Sequence, residues 1–212
     1  MLKIKSFEFS PVQENTYILY NQLNDCAIID PGCYFDEEKD ELLAFIEKMD
    51  LKPRMLLNTH CHLDHVFGNK FVAEKFGLTL HLHEKETPVL DFAPASGLMY
   101  NLPFNNYKGE FNFLSGGQVL SLGDEELKVL LTPGHSPGSV AFYCEKDSFV
   151  ISGDALFNRS IGRTDLPLAD HDTLIKSIRE NLFVLPDHTI VYSGHGPITT
   201  IGEEKRENPF LN

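Results

Sequence analysis

Residues 59–65 read THCHLDH, which places three of the chain's nine histidines and one aspartate within seven positions. Imidazole and carboxylate at this density are metal ligands by type. Zinc takes such N and O donors, and iron and manganese accept the same set. The bland alternative is a solvated polar turn. Against it stands the preceding segment RMLLN (54–58), an apolar run with the length of a buried strand. The cluster thus starts at the carboxyl end of a predicted strand, where α/β folds place their sites. On extended backbone His60, His62 and Asp64 share one side, while Cys61 and Leu63 point to the other and pack inward. A turn after Asp64 brings His65 to the opening of the next helix. Without a cation, four such groups together need other partners, because buried imidazoles and carboxylates are costly unpaired.

Three remote residues share one setting, a strand end followed by a glycine-containing turn. His135 in TPGHSPGS follows ELKVLLT, Asp154 in SGDALF follows SFVI, and His195 in YSGHGP follows HTIVY. Glycine lets backbone bend tightly around a ligand. With the cluster these give seven candidate ligands (His60, His62, Asp64, His65, His135, Asp154 and His195), enough for two cations sharing Asp154.

The elements that must position them follow from periodicity. Strands are predicted at 2–9, 15–20, 26–30, 54–58, 78–82, 118–122, 126–132, 139–144, 148–153 and 188–194. Helices are predicted at 35–49, 66–76, 84–92 and 171–183. The stretch 93–117 reads as a long irregular segment, a candidate lid or pocket wall with Tyr100, Phe104 and Tyr107. The tail from 197 has no clear period. Strand blocks alternating with helices in both halves predict an α/β fold with two sheets and helices outside. No boundary or repeat emerges, so one domain over 1–212 is expected.

The 212 residues are 42% hydrophobic, enough for a sizeable core, and carry a net charge of −13. That balance argues against nucleic acid and anionic membrane as partners. No apolar stretch has the length of a signal peptide or a membrane span. Four cysteines without a CxxC pair read as reduced thiols. A cytoplasmic protein with a small-molecule substrate is expected, its oligomeric state open. No GxSxG is present, so a serine nucleophile has no support.

THCHLDH, TPGHSPGS, SGDALF, SIGRTDLP and SGHGP, in that order and with IIDPG (28–32) ahead of them, resemble the motifs of the metallo-β-lactamase superfamily, its glyoxalase II-like (hydroxyacylglutathione hydrolase-like) branch. The resemblance covers about residues 15–212. It implies an αββα sandwich of two mixed β-sheets with helices on the outer faces, the metallo-β-lactamase fold. It implies one site of His60, His62 and His135, a second of Asp64, His65 and His195, and Asp154 between them. The implied cofactors are two divalent ions, zinc first, with iron or manganese as alternatives. The implied activity is a metal-dependent hydrolase that uses a dinuclear-metal-bound hydroxide on a thioester such as a hydroxyacylglutathione, with Asp64 as a catalytic group. A common zinc β-lactamase has cysteine as a second-site ligand, and here Cys144 falls inside a strand run. The chain also departs from larger glyoxalase II enzymes: it ends soon after His195 and lacks their tyrosine after the last histidine. GRTD resembles the persulfide dioxygenases too, which hold a single iron; His60, His135 and Asp154 match that set. A metal-binding module without catalysis is the third reading. Arg163 is a candidate fork for a substrate carboxylate, or a structural ion pair with Asp165. Asp30 is a candidate to orient a histidine through its free N–H, or a turn residue.

Overall fold

A computed structural model describes residues 1–211; Asn212, the last residue of the expected 1–212 unit, lies outside the described residues. The N-terminal half builds one six-stranded sheet from β1 (Lys3–Phe9), β2 (Glu14–Tyr20), β3 (Asp25–Ile29), β4 (Lys52–Leu57), β5 (Leu80–His83) and β6 (Phe111–Leu114), in that spatial order. β1, β2 and β3 pair antiparallel, and β3 through β6 pair parallel. α1 (Asp36–Lys48), α2 (Leu63–Val66), α3 (Asn69–Phe76) and α4 (Thr87–Met99) accompany it.

The second sheet contains β7 (Val119–Leu122), β8 (Glu125–Leu131), β9 (Val140–Cys144), β10 (Phe149–Gly153), β13 (Ile190–Ser193) and β14 (Thr199–Thr200), in the order β14-β13-β10-β9-β8-β7. β10 and β13 pair parallel and its other pairs are antiparallel. A short hairpin of β11 (Leu156–Phe157) and β12 (Ser160–Ile161) stands apart, and α5 (His171–Ser177) and α6 (Ile201–Glu207) complete the chain.

Burial explains the layering. Alternate residues of β2, β3 and β4, among them Leu19, Ala27, Ile29 and Leu57, pack with Leu127, Val129, Phe142 and Ile151 of the other sheet. The opposite residues Ile18, Ile28 and Leu56 pack under Leu42, Ile46, Val72 and Leu90 of α1, α3 and α4. Ala141, Val150 and Val191 pack under Leu174, Ile178 and Ile201. Strands covered on both faces read as continuous apolar runs, which is how the Met55–Leu57 end of β4 and Phe149–Ile151 of β10 appear. The result is the expected αββα sandwich of two mixed sheets.

Four elements differ from expectation. The irregular stretch predicted at 93–117 starts as helix, because α4 runs through Pro94 to Met99, and near its end it forms β6, paired with β5. Proline removes the N–H that would reach Leu90 O, and the side chain of Asn106 supplies that donor at 2.6 Å. The helix predicted at 66–76 is divided at Gly68, where a Cβ would sit 2.4 Å from Cys33 Sγ and 2.7 Å from Pro31 O. The helix predicted at 171–183 ends as α-helix at Ser177 and continues as a wider π turn over Ile178–Leu182. The tail holds α6, whose cap is Thr200 Oγ1 accepting from Glu203 N.

Candidate metal centre

β4 ends at Leu57 and Asn58 donates its backbone N–H to His81 O, so the parallel ladder carries the chain one residue past the strand. Thr59 O then accepts from Val140 N at 2.8 Å, which ties the tip of the first sheet to β9 of the second. His60, Cys61 and His62 follow, with His62 still extended at φ −65°, ψ 155°. The helical turn α2 starts at Leu63. Asp64 is therefore inside the helix and not on the extended run with His60 and His62, as alternation had suggested; the turn lies before Asp64. Cys61 is fully buried in the core and Leu63 packs against it.

His135, Asp154 and His195 leave the tips of β8, β10 and β13 as expected. All seven candidates meet. Ligand atoms of His60, His62 and His135 lie within 4.8 Å of one another, as do those of Asp64, His65 and His195. His62 Nδ1 faces His135 Nε2 at 2.9 Å. His195 Nε2 is 3.1 Å from Asp64 Oδ2. Asp154 stands between the groups: Oδ2 is 3.5 Å from His135 Nε2 and 3.6 Å from His195 Nε2, and Oδ1 is 3.4 Å from His65 Nε2.

Glycine makes this approach possible. A Cβ on Gly194 would lie 2.1 Å from Asp154 Oδ1 and 2.8 Å from His65 Cε1. One on Gly162 would lie 2.0 Å from Asp154 O and 3.0 Å from the His135 ring.

The outer nitrogens settle which inner ones are free to bind. His65 Nδ1 donates to Asp30 Oδ2 at 3.1 Å, His135 Nδ1 to Arg163 O at 2.8 Å and His195 Nδ1 to Gln13 O at 3.1 Å. Thr59 Oγ1 gives its one proton to Asp30 Oδ2 at 2.5 Å, so toward His60 Nδ1, 3.1 Å away, it acts as acceptor. In all four imidazoles the outer hydrogen bond engages Nδ1, so Nε2 is the nitrogen that points inward and offers its lone pair when a cation is bound. Nε2 of His60 and of His65 and Oδ1 of Asp154 are buried with no hydrogen-bond partner. Each such orphan costs about 1–3 kcal/mol. The residues fit divalent cations: inward lone pairs, carboxylate charge, and polar atoms otherwise unsatisfied.

Electrostatics separates the two groups. Burial, with His135 beside it, depresses His62 to about 3, and burial and the His65 charge hold His60 well below the usual histidine value. Both are neutral at neutral pH. At His65 burial works in the same direction, but Asp154 and Asp64 outweigh it and raise its pKa well above 6.5. Burial raises Asp154 and Asp64, and His65 overcomes it in both, leaving the carboxyls below their ordinary range. Without metal, a proton on His65 is the counter-charge to two carboxylates.

Several supporting residues gave no signal in the sequence. Asn15 Nδ2 donates to Ser193 O at 3.0 Å and Gly196 O at 2.9 Å, and Asn15 N donates to Gly194 O, so β2 holds the His195 loop. Asn58 Nδ2 donates to Asp30 Oδ1 and His65 O. Glu14 is buried with Oε1 3.8 Å from His65 Nδ1, and burial pushes its carboxyl well above the usual range. Asp30 takes the orienting role considered for it. Arg163 meets the centre through its main-chain oxygen; its exposed guanidinium makes a two-point ion pair with Asp165 at 2.7 and 2.8 Å. Among the described residues no helix is long and apolar enough to cross a membrane, and all four cysteines are free and buried.

A family model described as the metallo-β-lactamase superfamily matches residues 9–195. The chain belongs to this superfamily and is one of its metal-dependent hydrolases. It is 38% identical over 213 aligned positions to a probable metallo-hydrolase, YqgX, of Bacillus subtilis, covering 100% of this chain and 98% of that one. It is 37% identical to the hydroxyacylglutathione hydrolase GloC of Haemophilus influenzae, covering 100% and 99%. Among solved structures, the B3 metallo-β-lactamase BLEG-1 superposes with a TM-score of 0.91 at 40% identity, covering 99% of this chain and 100% of that one. TTHA1623 in a di-iron-bound form gives 0.88 at 38%, covering 98% and 100%.

Proposed function

We propose that this hydrolase carries two divalent cations and cleaves thioesters of the hydroxyacylglutathione class. The observation that carries the reading is the pair of ligand groups joined by Asp154, with inward nitrogens fixed by hydrogen bonds on their outer sides. His60, His62 and His135 would hold one cation, Asp64, His65 and His195 the other, and Asp154 both. Zinc suits the five imidazoles and two carboxylates, and the di-iron form of TTHA1623 makes iron the first alternative. When bound, such cations act as Lewis acids and lower the pKa of coordinated water toward neutrality.

The chain's own groups orient and move protons around that water. His62 and His60 stay neutral and keep their lone pairs available. Asp64 has Oδ2 toward His195, and its Oδ1 is the proposed acceptor for the proton of the attacking water. The water oxygen would add to the thioester carbonyl carbon, the C–S bond would break, and the leaving thiolate would take the proton held at Asp64 or one from solvent, with no covalent intermediate on a side chain. Arg163 is the proposed rim contact for a substrate carboxylate: its exposed guanidinium pairs Asp165 through Nε and Nη2, and the Nη1 side is the edge proposed to meet substrate.

A single-iron oxygenase on His60, His135 and Asp154 leaves Asp64 and His195, which converge with His65, without a ligand role. The GloC relative supports thioesters, and the BLEG-1 relative makes a β-lactam the natural competitor. The test is turnover of lactoylglutathione and of a β-lactam by protein purified without added metal, before and after chelation. Chelator-sensitive hydrolysis of the thioester is expected. Chelator-insensitive hydrolysis, or turnover of the β-lactam alone, would overturn the reading.

A further inference from the structure

Glu86 is fully buried and belongs to neither ligand group. It closes the 3₁₀ turn Glu84–Glu86 between β5 and α4. Its two oxygens receive three donors. Oε2 accepts from Cys61 N at 2.8 Å, and Oε1 accepts from Ser136 Oγ at 2.6 Å and Gly138 N at 2.7 Å. Cys61 is the residue between His60 and His62, and Ser136 is the residue after His135. One carboxylate therefore brackets the two separate segments that bring three histidines together. None of its three donors lies on α2 or on the His195 loop.

The second glycine of TPGHSPGS has its reason here. A Cβ on Gly138 would stand 3.0 Å from Glu86 Cγ and Glu86 N and 2.8 Å from His83 Nδ1. Glycine at 138 lets the loop come close enough for its N–H to reach the carboxylate. An ionised carboxylate is an acceptor at every lone pair, which suits three converging donors. A glutamine of the same shape would turn an NH₂ toward Cys61 N on one side, or toward Ser136 and Gly138 on the other.

We propose that Glu86 is a positioning residue for the cation held by His60, His62 and His135, setting the distance between the 60–62 segment and the 135–138 loop. This rests on the two-cation reading above. Removing a group that orients metal ligands typically lowers metal affinity about 10–100-fold. The loss should be selective, because the Asp64, His65 and His195 group is held instead by Asp30, Asn58, Gln13 and Asn15.

The test is zinc titration of the full chain against a competing chelator, with the visible spectrum of cobalt(II)-loaded protein as second readout, for wild type, Glu86→Gln and Ser136→Ala. In Glu86→Gln one of two affinities should fall about 10–100-fold, with the other unchanged and the cobalt spectrum altered. Ser136→Ala, which keeps the carboxylate and two donors, should weaken the same site less. It decides the matter if Glu86→Gln does not fold. A lower melting temperature with both affinities intact, or both weakened equally, would overturn the proposal. A wild type that takes up one cation would sink the two-cation reading separately; the bracket would still predict the loss at that single site.

Discussion

Asp30→Asn is the substitution whose consequence the structure specifies most fully. Asp30 Oδ1 accepts from Thr59 N at 2.7 Å and Asn58 Nδ2 at 3.1 Å. Oδ2 accepts from Thr59 Oγ1 at 2.5 Å and His65 Nδ1 at 3.1 Å. All three partner residues are buried. An amide must turn its NH₂ toward one pair. Toward Oδ1 it opposes two fixed N–H donors. Toward Oδ2 it opposes His65 Nδ1–H, and relief requires the imidazole to lose that proton and keep one only on Nε2, the nitrogen aimed at the cation. Two compromised buried contacts at about 1–3 kcal/mol each give a loss of roughly 2–6 kcal/mol. For a chain of this length that is on the order of 10 °C in melting temperature. Cation affinity should fall about 10–100-fold, at the group containing His65. Thermal unfolding of metal-free protein measures the first effect and competitive zinc titration the second. A variant with unchanged melting temperature and unchanged affinity would refute the role assigned to Asp30.

Gly194→Ala drives a methyl into Asp154 Oδ1, so we expect cation loading to fall by at least tenfold while secondary structure by circular dichroism is retained. Arg163→Ala leaves His135 its main-chain acceptor and should raise KM for an anionic thioester about tenfold with kcat little changed; equal losses in both would contradict a rim contact. In metal-free protein the raised His65 and His195 contribute stability that is full below about pH 6.5 and is lost as pH rises through their folded values. Chelated protein should therefore lose melting temperature above pH 6.5, and zinc binding there should release protons, read by calorimetry in buffers of different ionisation enthalpy. Flat stability above pH 6.5 and no proton release would contradict the counter-charge role of His65.

The strand tips were legible because chemistry and periodicity coincide there. RMLLN runs apolar into THCHLDH, and each remote ligand follows a strand and stands directly after a glycine (Gly134, Gly153 and Gly194). The place of Asp64 was misread because a four-residue helix leaves no period to detect, and only the extended His62 marks where it begins. The helix through Pro94 was hidden because Asn106, twelve residues on, supplies the missing donor. Glu86, Asn15 and Gln13 act by hydrogen bonds to segments between about twenty-five and one hundred and eighty residues away, and in Gln13 the group that acts is a main-chain carbonyl. Such contacts leave no local pattern in a single sequence.

Seven side chains from four strand tips are proposed to hold two cations. The most direct measurement is metal content per chain after zinc loading and desalting, for wild type and His195→Ala. Two zinc per wild-type chain are expected and one in the variant, whose Asp64 and His65 are left with Asp154 alone. One zinc per wild-type chain, or a count that His195→Ala does not change, would contradict the two-cation proposal.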